Sequence, residues 1–219
     1  DDGVGVAGDH PHRVSQRLAF QVRSRPGVGE ANDIAAQPVH RGLEGEPRTG
    51  RRFEEAGGED FSKGGRTMLD SSEIYDPSTG AWSSAGVMAS IHAGHSEVLI
   101  GGKVLIVGQY NGEIYDPATD TWSYGASMAK SRGDGHTATL LNDGRILLIG
   151  DSPEAELYDP SNDTWVSAGE MSRERLYHAT SLLSDGRVLI SGGLEGRRDL
   201  DSSEIYDPSD GSWSAPATM

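Results

Sequence analysis

Three histidines, His95, His136 and His178, recur 41 and 42 residues apart, and each opens a short apolar or alternating run: SEVLI, TATLL and ATSLL. Imidazole is a common metal ligand, so three in phase invite a metal ring. A second phased set stands four residues after successive methionines: His92 after Met88, Arg132 after Met128 and Arg175 after Met171. A third is Tyr-Asp-Pro, written four times, with DSSEIYDPSTGAW at 70–82 and DSSEIYDPSDGSW at 201–213 nearly identical. Hydroxyl and carboxylate side by side could belong to a duplicated active-site loop. Recurrence at one position of a regular unit is, however, what a structural residue does. Each histidine sits on its own unit, with a separation that no local spacing controls. The histidines and the Tyr-Asp-Pro segments are therefore read as structural, and no catalytic residue, metal or cofactor is assigned.

The unit that carries them is a repeat. Tyr75, Tyr115, Tyr158 and Tyr206 are spaced by 40, 43 and 48 residues, and Trp82, Trp122, Trp165 and Trp213, all the tryptophans of the chain, each follow seven residues later. Met88, Met128, Met171 and Met219 follow the tryptophans by six. After each histidine run comes a tight turn, LNDGR at 141–145 and LSDGR at 183–187, where Asp-Gly suits a short hairpin; IGGK at 100–103 is one residue shorter. KVLIVG, RILLIG and RVLISGG follow, rich in Ile, Leu and Val and closed by glycine, as buried strands are. Pro after Tyr-Asp cannot extend a ladder and turns the chain, with Gly80 and Gly211 relaxing the turn. Each period thus predicts four short strands in an antiparallel meander, with the tryptophans packing between units.

Units of this kind, repeated every 40 to 48 residues, stack as propeller blades. With a glycine pair closing the second strand, a Tyr before a turn and a Trp seven residues on, residues 61–219 resemble kelch repeats, in the bacterial form whose blades carry DGRVLIxGG and EIYDPxxxxW. The sialidase Asp-box is similar in ending on Trp, but it needs Ser seven residues before the Trp, where these copies carry Tyr. The resemblance implies an all-β fold: a partial β-propeller of about three and a half four-stranded antiparallel kelch blades behind a non-repeat N-terminal segment. The divisions expected are a partial blade at 61–88 and blades at 89–128, 129–171 and 172–219.

Residues 1–60 contain no Trp, Tyr or Met and 11 large apolar residues, with charged clusters such as PHRVSQR and EGEPRTGRRFEE. They are read as irregular or disordered, or as sequence outside the native reading frame, since only Gly64-Gly65 matches the repeat there. The chain opens on Asp1-Asp2 and stops where a further blade would begin, so a fragment lacking its remaining blades is expected. The net charge of −15 argues against nucleic-acid binding. No apolar run nears the ~18 residues of a membrane span, so no membrane insertion is expected.

Blades of the galactose-oxidase central domain are similar, and that enzyme uses copper with a cross-linked Tyr-Cys pair. This chain has no cysteine, which disfavours that chemistry and leaves a fragment of a galactose-oxidase-like enzyme as the alternative. A sugar-processing propeller of the sialic-acid epimerase kind is a further one, with no acid/base pair to assign. The expected function is a non-enzymatic binding module for a protein or carbohydrate. The resemblance implies a secreted or surface location. The connections between second and third strands vary most, reading RTMLDS, QYN, DSPEA and LEGRRDLDS, and variation on a constant scaffold is where specificity resides. In propellers of this type the loop leading into the first strand opens on the same face. The ligand-binding face is therefore placed on His92, Arg132, Arg175, Glu195, Arg197, Arg198 and Asp199; the alternatives are arginines tied to a neighbouring blade's carbonyls or carboxylates, and ordinary solvated charges on the loops.

Overall fold

Where Ile, Leu and Val run together between glycine turns, the chain extends and pairs with its neighbour in sequence. The structure, a computed structural model, describes residues 52–57, 59–60, 67–76, 79–92, 94–108 and 111–219, and these residues form strands and turns without a helix. The first sheet pairs β1 (Arg52–Ala56) with β4 (Ser71–Asp76) and β4 with β5 (Ala81–Val87), while β2 (Glu59–Asp60) and β3 (Thr67–Met68) make a separate hairpin between β1 and β4. The second is β6 (Ser96–Ile100), β7 (Lys103–Val107), β8 (Asn111–Asp116) and β9 (Thr121–Ser127), in that order. The third is β10 (Thr137–Leu140), β11 (Ile146–Ile149), β12 (Glu154–Asp159) and β13 (Thr164–Glu170).

The last sheet holds β14 (Ala179–Leu182), β15 (Val188–Ser191), β18 (Ser202–Asp207) and β19 (Ser212–Trp213), with β20 (Ala217–Thr218) also on β18. Between β15 and β18 stand β16 (Leu194–Glu195) and β17 (Arg198–Asp199), a hairpin of their own. All pairings are antiparallel, so the predicted meander is the observed one. First strands β6, β10 and β14 neighbour one another, as do last strands β5, β9, β13 and β19.

One expectation changes. Arg52–Ala56, assigned from the sequence to the irregular segment, pairs with β4 through Arg52↔Tyr75 and Ala56↔Ser72, the positions that β7 takes against β8. RFEEA lacks the VLI signature and is bulged between Phe53 and Glu55, so its pattern hid it. Residues 1–51 lie outside the described residues.

Alternation along the second strand explains why it is apolar throughout. Leu105 and Val107 join Ile146, Leu148 and Tyr158 in one cluster, while Val104 and Ile106 join Ile74, Ala85 and Tyr115 in another. Leu147 and Ile149 of β11 likewise turn to Val188, Ile190 and Tyr206. Strands β7 and β11 thus each serve the interface on both of their sides, and all four residues of β11 are buried. Met88, Met128 and Met171 fill the same clusters.

The aromatic pair divides its work differently from expectation. Tyr115, Tyr158 and Tyr206 are the fully buried members, whereas Trp122, Trp165 and Trp213 are half-buried. Within each blade the rings tilt against each other at centroid distances of 4.9–5.2 Å, Tyr75–Trp82 included. The indole then reaches out of its blade: the N–H groups of Trp122, Trp165 and Trp213 donate to the carbonyls of Ala85, Ala126 and Ala168 on the preceding sheet, at 3.0, 3.1 and 2.7 Å. Five residues after each Tyr the backbone is left-handed. Gly80 and Gly211 fill that position in two copies, and Asp120 and Asp163 in the others. Those aspartates accept a hydrogen bond from the Tyr hydroxyl at 2.7 and 2.8 Å, which offsets part of the backbone cost.

Trp122→Ala and Trp165→Ala should therefore each lower unfolding free energy by about 2–3 kcal/mol, losing ring contacts and an inter-blade hydrogen bond. Trp82, 42% exposed, and Arg198, exposed on β17, should shift it far less when replaced by alanine. Equal shifts for all four in urea titrations would contradict this account of the blade interfaces.

Candidate functional site

The glutamate two residues before each Tyr is buried in the second, third and last blades: Glu113, Glu156 and Glu204 are 0%, 4% and 1% exposed. A carboxylate taken out of water needs several donors at once, and the loop arriving from the previous blade supplies them. The amides of Ala89 and Ser90 donate to Glu113, that of Ala129 to Glu156 and that of Ser172 to Glu204, all at 2.8 Å. The position four residues after Met completes the shell. His92 Nε2 lies 3.0 Å from Glu113, Arg132 Nη2 2.8 Å from Glu156, and Arg175 Nη2 3.0 Å from Glu204.

The other guanidinium nitrogen closes the mouth of the connection between second and third strands. Arg132 Nη1 donates to the Gly150 and Glu154 carbonyls at 2.9 and 2.8 Å, and Arg175 Nη1 to those of Gly192 and Ser202 at 2.9 Å each. Among the described residues the His92 side chain hydrogen-bonds the glutamate alone, and there the connection is short, with the Gly108 amide donating to the Asn111 carbonyl at 3.4 Å. Removing Arg132 by itself would strand a buried carboxylate, a defect of about 3–5 kcal/mol.

Beyond this latch the connections differ. In the last blade Leu194–Glu195 and Arg198–Asp199 pair as a hairpin, tied to the lead-in loop by reciprocal backbone bonds between Leu176 and Leu194. Arg173 reaches Glu195 at 3.4 Å. Arg197, Arg198 and Asp199 are exposed. Tyr177 at this end is strained. The position before each phased histidine is left-handed, with Gly94 at φ 61°, Gly135 at 83° and Tyr177 at 54°. An aromatic residue there costs about 1–2 kcal/mol relative to glycine.

The phased histidines are held inside the blades. Among the described residues no three His, Asp or Glu side chains are grouped to hold a metal. His178 lies 3.1 Å from the Arg175 carbonyl through Nδ1 and 2.9 Å from the Thr137 hydroxyl through Nε2, a pairing that suits a neutral ring donating at Nδ1 and accepting at Nε2. His136 faces the carbonyls of Gly133 and Val107. His95 lies 3.2 Å from Glu97. At the far end of the strands a groove of about 420 Å³ runs between the LNDGR and LSDGR turns, lined by Asp143, Asp185, Arg187 and Asp207 among others. Asp143 and Asp185 there are paired with Arg145 and Arg187 at 2.7 Å.

The kelch motif family model matches residues 175–219. Among solved structures the chain is similar to YjhT, with a TM-score of 0.60 and 13% identity over 75% of this chain and 65% of that one. The chain forms kelch blades of a β-propeller. It spans a little under two thirds of the length of YjhT, and no curated protein matches it.

Within these kelch blades the seven residues placed on the ligand face separate into two groups. Arg132 and Arg175 are 0% exposed and His92 is 4% exposed, so their side chains hold glutamates and carbonyls inside the blade rather than ringing a channel mouth. Glu195, Arg197, Arg198 and Asp199 do stand together on the hairpin. Sequence reasoning missed two features. Glu113, Glu156 and Glu204 could have been found, because Glu two residues before Tyr recurs as regularly as the basic residue that meets it. Tyr177 carried no signal beyond standing where the other two copies have glycine.

Burial pulls the His178 pKa down to about 4, helped by the nearby Arg175 and His136 charges, against an ordinary value of 6.5. Burial also lowers His136. The unfolded chain then binds protons that the folded one refuses, so this share of stability is intact above pH 6.5 and is lost as pH falls toward 4. Urea midpoints measured across that window should fall less steeply for His178→Asn than for the parent chain. Identical slopes would remove His178 from the acid response.

Proposed function

We propose that this propeller segment is a non-enzymatic binding module that holds a protein or carbohydrate ligand on the end of the blades carrying the connections between second and third strands. The observation that carries the reading is the contrast across the latch. On its inner side Glu113, Glu156 and Glu204 recur, each with loop amides and a basic side chain as partners, while on its outer side the connections change length, from the short one between β7 and β8 to the β16–β17 hairpin. The acids and bases with the most defined geometry are consumed in holding loops, which leaves recognition to exposed groups such as Arg197, Arg198 and Asp199.

Arrays of immobilised glycans and of peptides provide an unbiased ligand screen. Replacing residues 195–199 by a two-residue Asn-Gly turn should weaken capture of the selected ligand at least about tenfold, with the melting temperature changed little, since the hairpin lies outside the blade sheets. Unchanged capture, or no ligand on either array, would refute the proposal.

A further inference from the structure

Resting on that reading, we infer that Tyr177 is a ligand-stacking residue and that its ligand is a basic segment of a protein partner, with an arginine or lysine side chain laid over the exposed ring. Three equivalent positions share the left-handed backbone, and two are glycine: Gly94, Gly135 and Tyr177. Glycine would relieve the strain at the third, yet the residue there is aromatic. Strain kept where a simpler residue fits is a pointer to function. Packing uses only part of the ring. A Cβ on Gly135 would stand 2.8 Å from Tyr177 Cδ1, so the ring lies against that glycine, and the Tyr177 amide donates to the Gly135 carbonyl at 2.9 Å. Even so, Tyr177 is 52% exposed.

The surroundings choose the ligand chemistry. Asp134 immediately precedes Gly135 and lies over Gly94, where a Cβ would meet its Oδ1. Glu174 stands three residues before Tyr177, half-buried. Neither carboxylate has a hydrogen-bond or ion-pair partner among the described residues. Of the nearby arginines, Arg173 is the one paired with Glu195, at 3.4 Å. The loop of Asp134 and the loop of Glu174 meet at the Tyr177–Gly135 backbone bond, and an open tyrosine face on loops that carry uncommitted carboxylates suits a cation, which is attracted to the ring quadrupole and to the acids together. The net charge of −15 attracts the same class of ligand from a distance.

The full chain would be titrated by calorimetry with a hexapeptide of alternating glycine and arginine, its glutamine counterpart and a neutral glucose hexasaccharide, at low and high salt. The arginine peptide should bind, weaken with salt, and bind about tenfold more weakly to Tyr177→Gly and to Asp134→Asn while Tyr177→Phe stays within about threefold. The melting temperature of Tyr177→Gly should equal or exceed that of the parent. Equal peptide binding by Tyr177→Gly, a lowered melting temperature with binding retained, or no binding of the arginine peptide would overturn the inference. So would glutamine peptide or hexasaccharide binding as tight as that of the arginine peptide. An array-selected ligand that needs the hairpin but ignores Tyr177 would sink this inference and leave the binding module standing; absence of any array ligand would sink the module itself.

Discussion

A carboxylate buried in the third strand obliges the chain before it to bend back and supply donors. Glu113, Glu156 and Glu204 lie almost wholly out of water, and an unpaired charge there would not be tolerated. Because the donors are main-chain amides of the loop after each methionine, satisfying the charge fixes where one blade hands over to the next. The same loop then delivers the first strand to its place beside its predecessor. The arginine that completes the shell also bridges the carbonyls at both ends of the neighbouring connection. In the two blades with an arginine, one ionic centre therefore sets both the incoming loop and the base from which the variable connection springs.

Hydrophobic packing supplies the bulk of the cohesion, and it is shared strand by strand between two interfaces. The second strands β7 and β11 each feed clusters on both sides, so neither blade has a core that is its own. Directional contacts add register. The indole N–H of one blade to the alanine carbonyl of the blade before fixes how far neighbouring sheets slide, which apolar contact alone does not.

Much of this was legible in the sequence. The strand pattern, the Asp-Gly turns and the phase of Tyr and Trp follow from periodicity and turn chemistry, and the left-handed turn at Gly80 and Gly211 is where the sequence puts it. Two kinds of feature were not. RFEEA forms β1 because it pairs with β4 and closes on a buried Ala56, a tertiary effect without a local signature. The basic residues His92, Arg132 and Arg175 admit two readings from the sequence, at the channel mouth or tied to carbonyls and carboxylates of the blades, because burial of a guanidinium is unfavourable until its partner is known. Their partner is a glutamate within an otherwise strand-like EIY or ELY run, which alternation alone assigns no role. Arg197, Arg198 and Asp199 stand exposed on the connection between β15 and β18, where loop length and composition signal exposure directly.

Native-state hydrogen exchange at Ala89, Ala129 and Ser172 addresses the glutamate latch most directly. These three residues are exposed, and solvent access alone would have their amides exchange quickly. If their amides are held by buried carboxylates, they exchange only when the blade opens, with protection comparable to that of Leu105, Leu147 and Leu189 in the second strands. Exchange at the rate of ordinary surface loops would contradict the account.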